Sequence, residues 1–533
     1  MSKVFDALVD GDDDGLVRAL REGADPEARD DGETPLYRAA VANRPVAVRV
    51  LLAAGADPGR ASGEDEGDLP LCGAACGGHG EVVRALLAAG ADPDQEEAYG
   101  FTALAWAVRL GHAEVVRALL EAGAAPDRPG PDGLAPLTAA ARRGSASAVR
   151  ALLDHGAGRD REVLEEALAE ARRWIGVDMA AVLRRGLVES GGAGDTYEAV
   201  VRRVPEDGGV TVVVELLRED GAPSRGDERQ TGHAAIATLL EGALGIRVPH
   251  EELADRALRC GASDQDDWIT SVTALADRAD ETVLATATTW CASPSPLRRA
   301  LGARVLAALP PALRTSAIPV LRRLAAETAP PRAATDVPGT EGPMGGSAPD
   351  ALRPEGAVGR PATDGPGEPA ERELALAVAF ALGECGDPGV VPELLAFAAH
   401  PDAEVRRQVA ASLTGLVPLG DGEAVSVLVS LSRDHDPRVR DWATLALAEL
   451  PGDTPAVREA LAARLTDPDP DTSAEAARGL AIRQDPRAVE ALARILADGD
   501  PEGAPRETAL AALDHVRDPR TRTRLEWTTP RCR

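Results

Sequence analysis

The sequence predicts an all-α chain: two helical-repeat solenoids in tandem, with a small non-repeat segment between them to which a β-hairpin is assigned. Three observations predict it. A Gly-Ala-(Asp/Ala)-Pro phrase recurs at Gly23, Gly55, Gly90 and Gly123, with a variant at Gly156, at spacings of 32, 35, 33 and 33 residues. A different anchor recurs downstream, Leu382, Leu413, Leu447, Leu480 and Leu513, at spacings of 31, 34, 33 and 33. Aromatic residues are 2% of the 533 positions and hydrophobic residues 44%, so the core has to be built from Ala, Leu and Val, which suits short, closely packed helices.

The first period carries a second anchor, Leu36, Leu71, Leu104 and Leu137, spaced 35, 33 and 33. Each unit opens on a Thr-Pro-Leu-like start, as at Thr34-Pro35-Leu36, where Thr caps a helix and Pro occupies its first turn. A short Ala-rich helix follows. Then Gly-His-x-Glu-Val-Val-Arg-Ala-Leu-Leu, at residues 78–87 and 111–120, lays one apolar stripe along a second helix. The closing Gly is the left-handed stop. One such pair cannot bury its own apolar face, so the units must stack.

Period, start and stop together resemble the ankyrin repeat family over residues 1–159, as about five repeats with an atypical first one. The chain departs from the family where His follows Thr-Pro-Leu: Tyr37, Cys72, Ala105 and Thr138 stand there instead. Loss of that His's hydrogen bonds predicts a less rigid array.

Residues 160–195 read as connecting helices and 196–261 as the non-repeat segment. Val200-Val201 and residues 210–214 flank Pro205-Glu206-Asp207-Gly208-Gly209, a turn signal between β-branched runs, and helices resume after it. Residues 371–525 repeat helix pairs with Asp-Pro openings, as at Asp436-Pro437 and Asp485-Pro486, and weaker copies fill 262–328. These segments resemble HEAT repeats of the short, bilin-lyase-like type. Residues 329–370 hold nine prolines, eight glycines and no aromatic residue, which reads as a disordered insertion between two neighbouring repeats; 526–533 read as a tail.

The net charge of −29, with Lys3 the only lysine, disfavours nucleic acid and anionic lipid as partners and favours a basic protein. Six unpatterned cysteines, an acidic start and no long apolar run point to a reducing cytoplasm. Asp10-Gly11-Asp12-Asp13-Asp14-Gly15 opens like a calcium loop, but its twelfth position is Arg21 rather than a bidentate carboxylate. Cys72, Cys76 and His79 lack a fourth zinc ligand nearby. No phosphate loop, nucleophile elbow or His-Glu-x-x-His pattern is present. The sequence therefore predicts no enzyme activity, no cofactor and no metal.

The expected function is a protein–protein interaction scaffold. Trp106, and Arg38 at the equivalent place, are candidate contacts on the face that ankyrin repeats use for binding. The clusters Asp30, Asp31 and Glu33, then Glu64, Asp65 and Glu66, then Asp94, Glu96 and Glu97 would stack into one acidic ridge. The first alternative is an enzyme or ligand carrier, with a site between the HEAT-like stack and residues 196–260. The second is a regulatory module that holds a basic or DNA-binding protein through the acidic ridge.

Overall fold

A computed structural model describes residues 3–63, 67–190, 198–206, 208–218, 221–330, 369–498, 500 and 503–528. The chain divides into two compact units, Met1–Ala274 and Leu275–Arg533. The insertion assigned to 329–370 lies almost wholly outside the described residues, as do Glu64, Asp65 and Glu66.

The first unit opens with five helix pairs: α1 (Lys3–Asp10) and α2 (Asp13–Arg21), α3 (Pro35–Val41) and α4 (Pro45–Ala53), α5 (Pro70–Cys76) and α6 (Gly80–Ala88), α7 (Ala103–Leu110) and α8 (Ala113–Glu121), α9 (Pro136–Arg143) and α10 (Ala146–Asp154). First helices pack on first helices and second on second. The starts are capped as the sequence requires: Thr34 and Thr102 side chains accept from the Tyr37 and Ala105 amides, and Pro35, Pro70 and Pro136 sit in first turns. Each second helix ends on a glycine at φ between 85° and 97°, so Gly23, Gly55, Gly90, Gly123 and Gly156 share one left-handed conformation. Asp12 caps α2 through the Gly15 amide, so the acidic run at 10–15 is a helix-joining turn.

The missing family His leaves a trace. Thr138 Oγ1 is buried with no hydrogen-bond partner. A different pair of histidines ties the stack together: His79 and His112, in the Gly-His turns, each bond through Nε2 to a carbonyl of the preceding repeat, Val41 and Cys76, at 3.1 Å.

The core does not stop at 159. α11 (Arg161–Arg172) packs on α9, and α13 (His233–Ala243) packs on α11, so one apolar cluster runs from Val4 to Leu240. These two helices cover the apolar face that the last ankyrin pair would otherwise leave open. Between them, α12 (Met179–Ser190) is followed by three antiparallel strands, β1 (Glu198–Glu206), β2 (Gly209–Leu217) and β3 (Pro223–Gln230), in the order β1-β2-β3. The expected hairpin is thus a sheet with a third strand. Val212, Val214 and Leu216 face Met179, Leu183 and Leu187 of α12, which leaves Val213 and Glu215 on the other face. α14 (His250–Cys260) follows, and α15 (Asp266–Ala276) spans the change from one unit to the next in the sequence.

The second unit holds α16 (Glu281–Cys291), α17 (Pro296–Ala308), α18 (Pro311–Thr328), α19 (Pro369–Glu384), α20 (Val391–Leu395), α21 (Ala403–Leu413), α22 (Gly422–Leu431), α23 (Pro437–Glu449), α24 (Pro455–Ala462), α25 (Pro470–Ile482), α26 (Arg487–Asp498), α27 (Ala504–Ala512) and α28 (Pro519–Thr528). α28 takes in the start of the expected tail. α17, α19, α21, α23, α25 and α27 form one row, each packed on the next, so the helices on either side of the insertion meet directly. Leu382, Leu413, Leu447, Leu480 and Leu513 are all buried along this row. Asp402, Asp436 and Asp469 cap α21, α23 and α25 with their side chains.

Candidate protein-binding groove

The first unit carries a groove of about 490 Å³ between the fourth and fifth helix pairs and the exposed face of the sheet. Its floor is apolar, from Phe101, Val108, Leu134 and Ala139 on the helical side and Val213 on β2. Its rim is charged and exposed at Arg109, Asp132 and Asp227.

The groove exists because the C-terminal end of α9 is clamped to β3. Arg143, 7% exposed, donates to the Glu228 carbonyl at 2.6 Å and to Glu228 Oε1 at 2.7 Å. Arg229 donates through Nη1 to the Arg142 carbonyl at 2.7 Å, and the Gly232 amide to the Gly144 carbonyl at 3.1 Å. Gly144 stops α9 at φ 85°, and a Cβ there would lie 2.1 Å from the Gln230 carbonyl oxygen. Gly144→Ala is accordingly expected to cost about 2 kcal/mol, from left-handed strain plus the collision with β3. Hydrogen exchange of residues 223–243 checks it; unchanged protection there would contradict the clamp.

The expected contact residues are largely bonded within the array. Arg38 is half-buried and donates through Nε to Glu33 Oε2 at 2.6 Å. Trp106 is half-buried and stacks on Phe101, with centroids 4.2 Å apart and planes 16° from parallel, and its indole N–H donates to Glu97. Burial pushes the Glu97 carboxyl up, against the pull of that N–H. Asp94 Oδ1 accepts the Ala125 amide at 2.9 Å, and Glu96 accepts from Arg128. Asp30 and Asp31, at a tight hairpin tip where Asp31 has φ 47°, make no side-chain hydrogen bond among the described residues. Among the described ridge residues, Asp94 and Glu96 therefore stitch one repeat to the next, Glu33 and Glu97 bond within their own repeat, and Asp30 and Asp31 are left over.

Cys72 is buried with its thiol pushed well up by burial, and its sulfur lies 3.9 Å from the Phe101 carbonyl. Cys76 is exposed and His79 is bonded elsewhere, so the three do not converge. Among the described residues no group of three or more His, Cys, Asp or Glu side chains could hold a metal ion, and no helix is long and apolar enough to cross a membrane.

Family models supply the decisive comparison. The model for ankyrin repeats matches residues 5–97, 48–129 and 71–162, and that for HEAT repeats matches 368–448, 413–472 and 458–527. The N-terminal part carries ankyrin repeats and the C-terminal part HEAT repeats. A solved ankyrin repeat domain from Acinetobacter baumannii AYE is similar at 32% identity over 28% of this chain and 79% of that domain, with a TM-score of 0.27. No curated protein matches the chain.

Ankyrin and HEAT arrays are typical protein-interaction scaffolds. In this ankyrin–HEAT protein, sequence reasoning missed Arg109, Arg143, Asp227 and Glu228. The one legible signal was Arg142-Arg143-Gly144, two cations before a helix-stopping glycine, which marks a helix end but not what docks on it.

Proposed function

We propose that the chain is a non-catalytic scaffold of the cytoplasm that holds an extended, basic segment of a partner protein in the groove between the fourth and fifth ankyrin repeats and the sheet. The groove itself carries this reading: an apolar floor for side chains, with exposed Asp132 and Asp227 beside Arg109 at the rim. Asp30 and Asp31 add two further open carboxylates on the same array. The chain's charge of −29 steers basic partners toward it and makes nucleic acid an unfavourable one. The HEAT array offers a second surface for a second partner. Five described cysteines are free, Cys72 and Cys76 among them, in keeping with a reducing compartment.

The decoy-ridge reading has less support, because Glu33, Asp94, Glu96 and Glu97 are already bonded within the array. The ligand-carrier reading has one observation in its favour, a second cleft lined by residues 174–267 of the first unit.

The test is affinity purification of the full chain from its own cells. Ala139→Trp, which fills the groove, is expected to lose the partner about tenfold, while Arg117→Ala on an exposed second helix retains it. An identical set of partners on both variants would overturn the proposal.

A further inference from the structure

A cleft of about 530 Å³ opens beside the opposite face of β2. Four segments meet there: the turn between α11 and α12, the β1–β2 end of the sheet, the first turn of α13, and the junction of α14 with α15. The size is within the range of small-ligand sites, about 300–1,000 Å³.

The lining sorts by chemistry. Trp174, Val177, Met179 and Val210 supply an apolar wall. Arg203 of β1 and Arg259 of α14 supply two guanidinium groups, and neither makes an ion pair or side-chain hydrogen bond among the described residues. Asp267 supplies the opposite sign. Its Oδ1 accepts the Ala235 amide at 2.7 Å, and its Oδ2 has no bond among the described residues. Burial pushes its carboxyl up to about 6, against the pull of that amide, so a cation beside it would favour the charged form.

Two other lining groups supply no chemistry. The Cys260 thiol donates to the Ala257 and Ala262 carbonyls at 2.9 and 3.4 Å, and burial pushes it up to about 11. His233 is 2% exposed, stacks on Trp174 and is held neutral, burial lowering it to about 4. A thiol that bonds to carbonyls rather than to a base is not an activated nucleophile.

We propose that this cleft binds a small zwitterion with an apolar side chain, of the α-amino acid class. Its carboxylate lies at Arg203 and Arg259, its ammonium at Asp267, and its side chain against Trp174 and Met179. The site is independent of the groove: it uses other residues and the other face of β2.

Calorimetry and thermal shift on the full chain test the proposal, with leucine, methionine and tryptophan as probes at concentrations up to about 10 mM. At least one is expected to bind and raise the melting temperature. Its N-acetyl derivative, which lacks the ammonium, and its amide, which lacks the carboxylate, are each expected to bind about tenfold more weakly. Glycine, which lacks the apolar group, is expected not to bind. Arg203→Gln and Arg259→Gln change exposed residues, and each is expected to weaken binding about tenfold without moving the ligand-free melting temperature. Absence of binding by all three probes would overturn the proposal. So would N-acetyl or amide derivatives binding as tightly as the parent, or wild-type affinity in both arginine variants.

Discussion

Arg256→Ala is expected to lower the unfolding free energy of the first unit by about 3–5 kcal/mol. Arg256 and Glu241 are 2% and 1% exposed, and each is committed to the other. Arg256 donates through Nη1 to Glu241 Oε2 at 2.6 Å and to Thr238 Oγ1 at 2.9 Å, and through Nη2 to Glu241 Oε1 at 3.0 Å and Glu252 Oε1 at 2.7 Å. Arg172 of α11 reaches Glu241 Oε1 at 2.6 Å. Burial alone would push the Glu241 carboxyl up; the hydrogen bonds from Arg256 and Arg172 outweigh it and hold it below the usual range. The network joins α11 and α13, the helices that close the ankyrin core, to α14. Truncating the arginine leaves the buried Glu241 bonded to Arg172 and removes the bonds from Arg256 to Glu241, Thr238 and Glu252, which is why the loss is large. Arg256→Met with Glu241→Leu removes both charges and is expected to cost far less than the single change. Denaturant unfolding of the full chain, with hydrogen exchange read over residues 233–260, measures both. Equal losses for single and double variants would mean that the charges are not the cause.

In the HEAT array the corresponding change is Arg440→Ala, expected to cost about 3 kcal/mol. Arg372, Arg406 and Arg440 sit one repeat apart, and each reaches the turn of the next repeat, at Asp402, Asp434 and Asp467. The Arg406–Asp434 and Arg440–Asp467 pairs are bidentate, at 2.7 and 3.0 Å and at 2.9 and 2.9 Å. The Asp467 side chain is 1% exposed, and its Oδ1 also accepts the Asp469 amide, so the rung fixes the cap of the next helix as well. In a stack held by neighbour contacts, one broken rung uncouples the two halves around it. Exchange protection over residues 437–482 is the measurement, and unchanged protection in Arg440→Ala would contradict the account.

The same ladder sets a pH dependence. Burial would raise Asp434 and Asp467, but the bonds from Arg406 and Arg440 hold both below the usual range. A carboxylate lowered on folding adds stability above its unfolded value, about 3.9, and that stability is lost as pH falls through the lower folded value. Asp441 acts in the opposite sense. Burial, with Asp469 and Asp471 nearby, pushes it up to about 6, so it costs stability at neutral pH and the cost is relieved as pH falls below 6. The HEAT array is therefore expected to be most stable near pH 5, about midway between the two windows. A monotonic decline from pH 7 to 4 would contradict this balance.

The repeats were legible because stacking imposes them. A glycine at φ near 90° and a buried leucine must return once per unit, so Gly23 to Gly156 and Leu382 to Leu513 mark the arrays without any structure. β3 was not legible: Pro223-Ser224-Arg225-Gly226-Asp227-Glu228-Arg229-Gln230 has no β-branched residue and no alternation, and it is a strand because β2 pairs with it. The capping role of α11 and α13 was equally hidden, since their apolar stripes say that they pack but not on what. For the site, charge composition pointed to acidic loops, whereas Glu33, Asp94, Glu96 and Glu97 are already bonded within the array, Asp94 and Glu96 to the next repeat. The groove depends on Arg143 meeting Glu228, 85 positions away, a pairing that no local pattern encodes.

The most direct test of the scaffold account is photo-crosslinking from within the groove. A photoreactive amino acid replaces Val213, on the groove face of β2, in the full chain expressed in its own cells, and a control carries it at the exposed Arg117. The account predicts a discrete adduct from position 213, absent at position 117, whose crosslinked peptide from the partner carries Lys or Arg. Identical adducts from both positions, or none from 213, would contradict it.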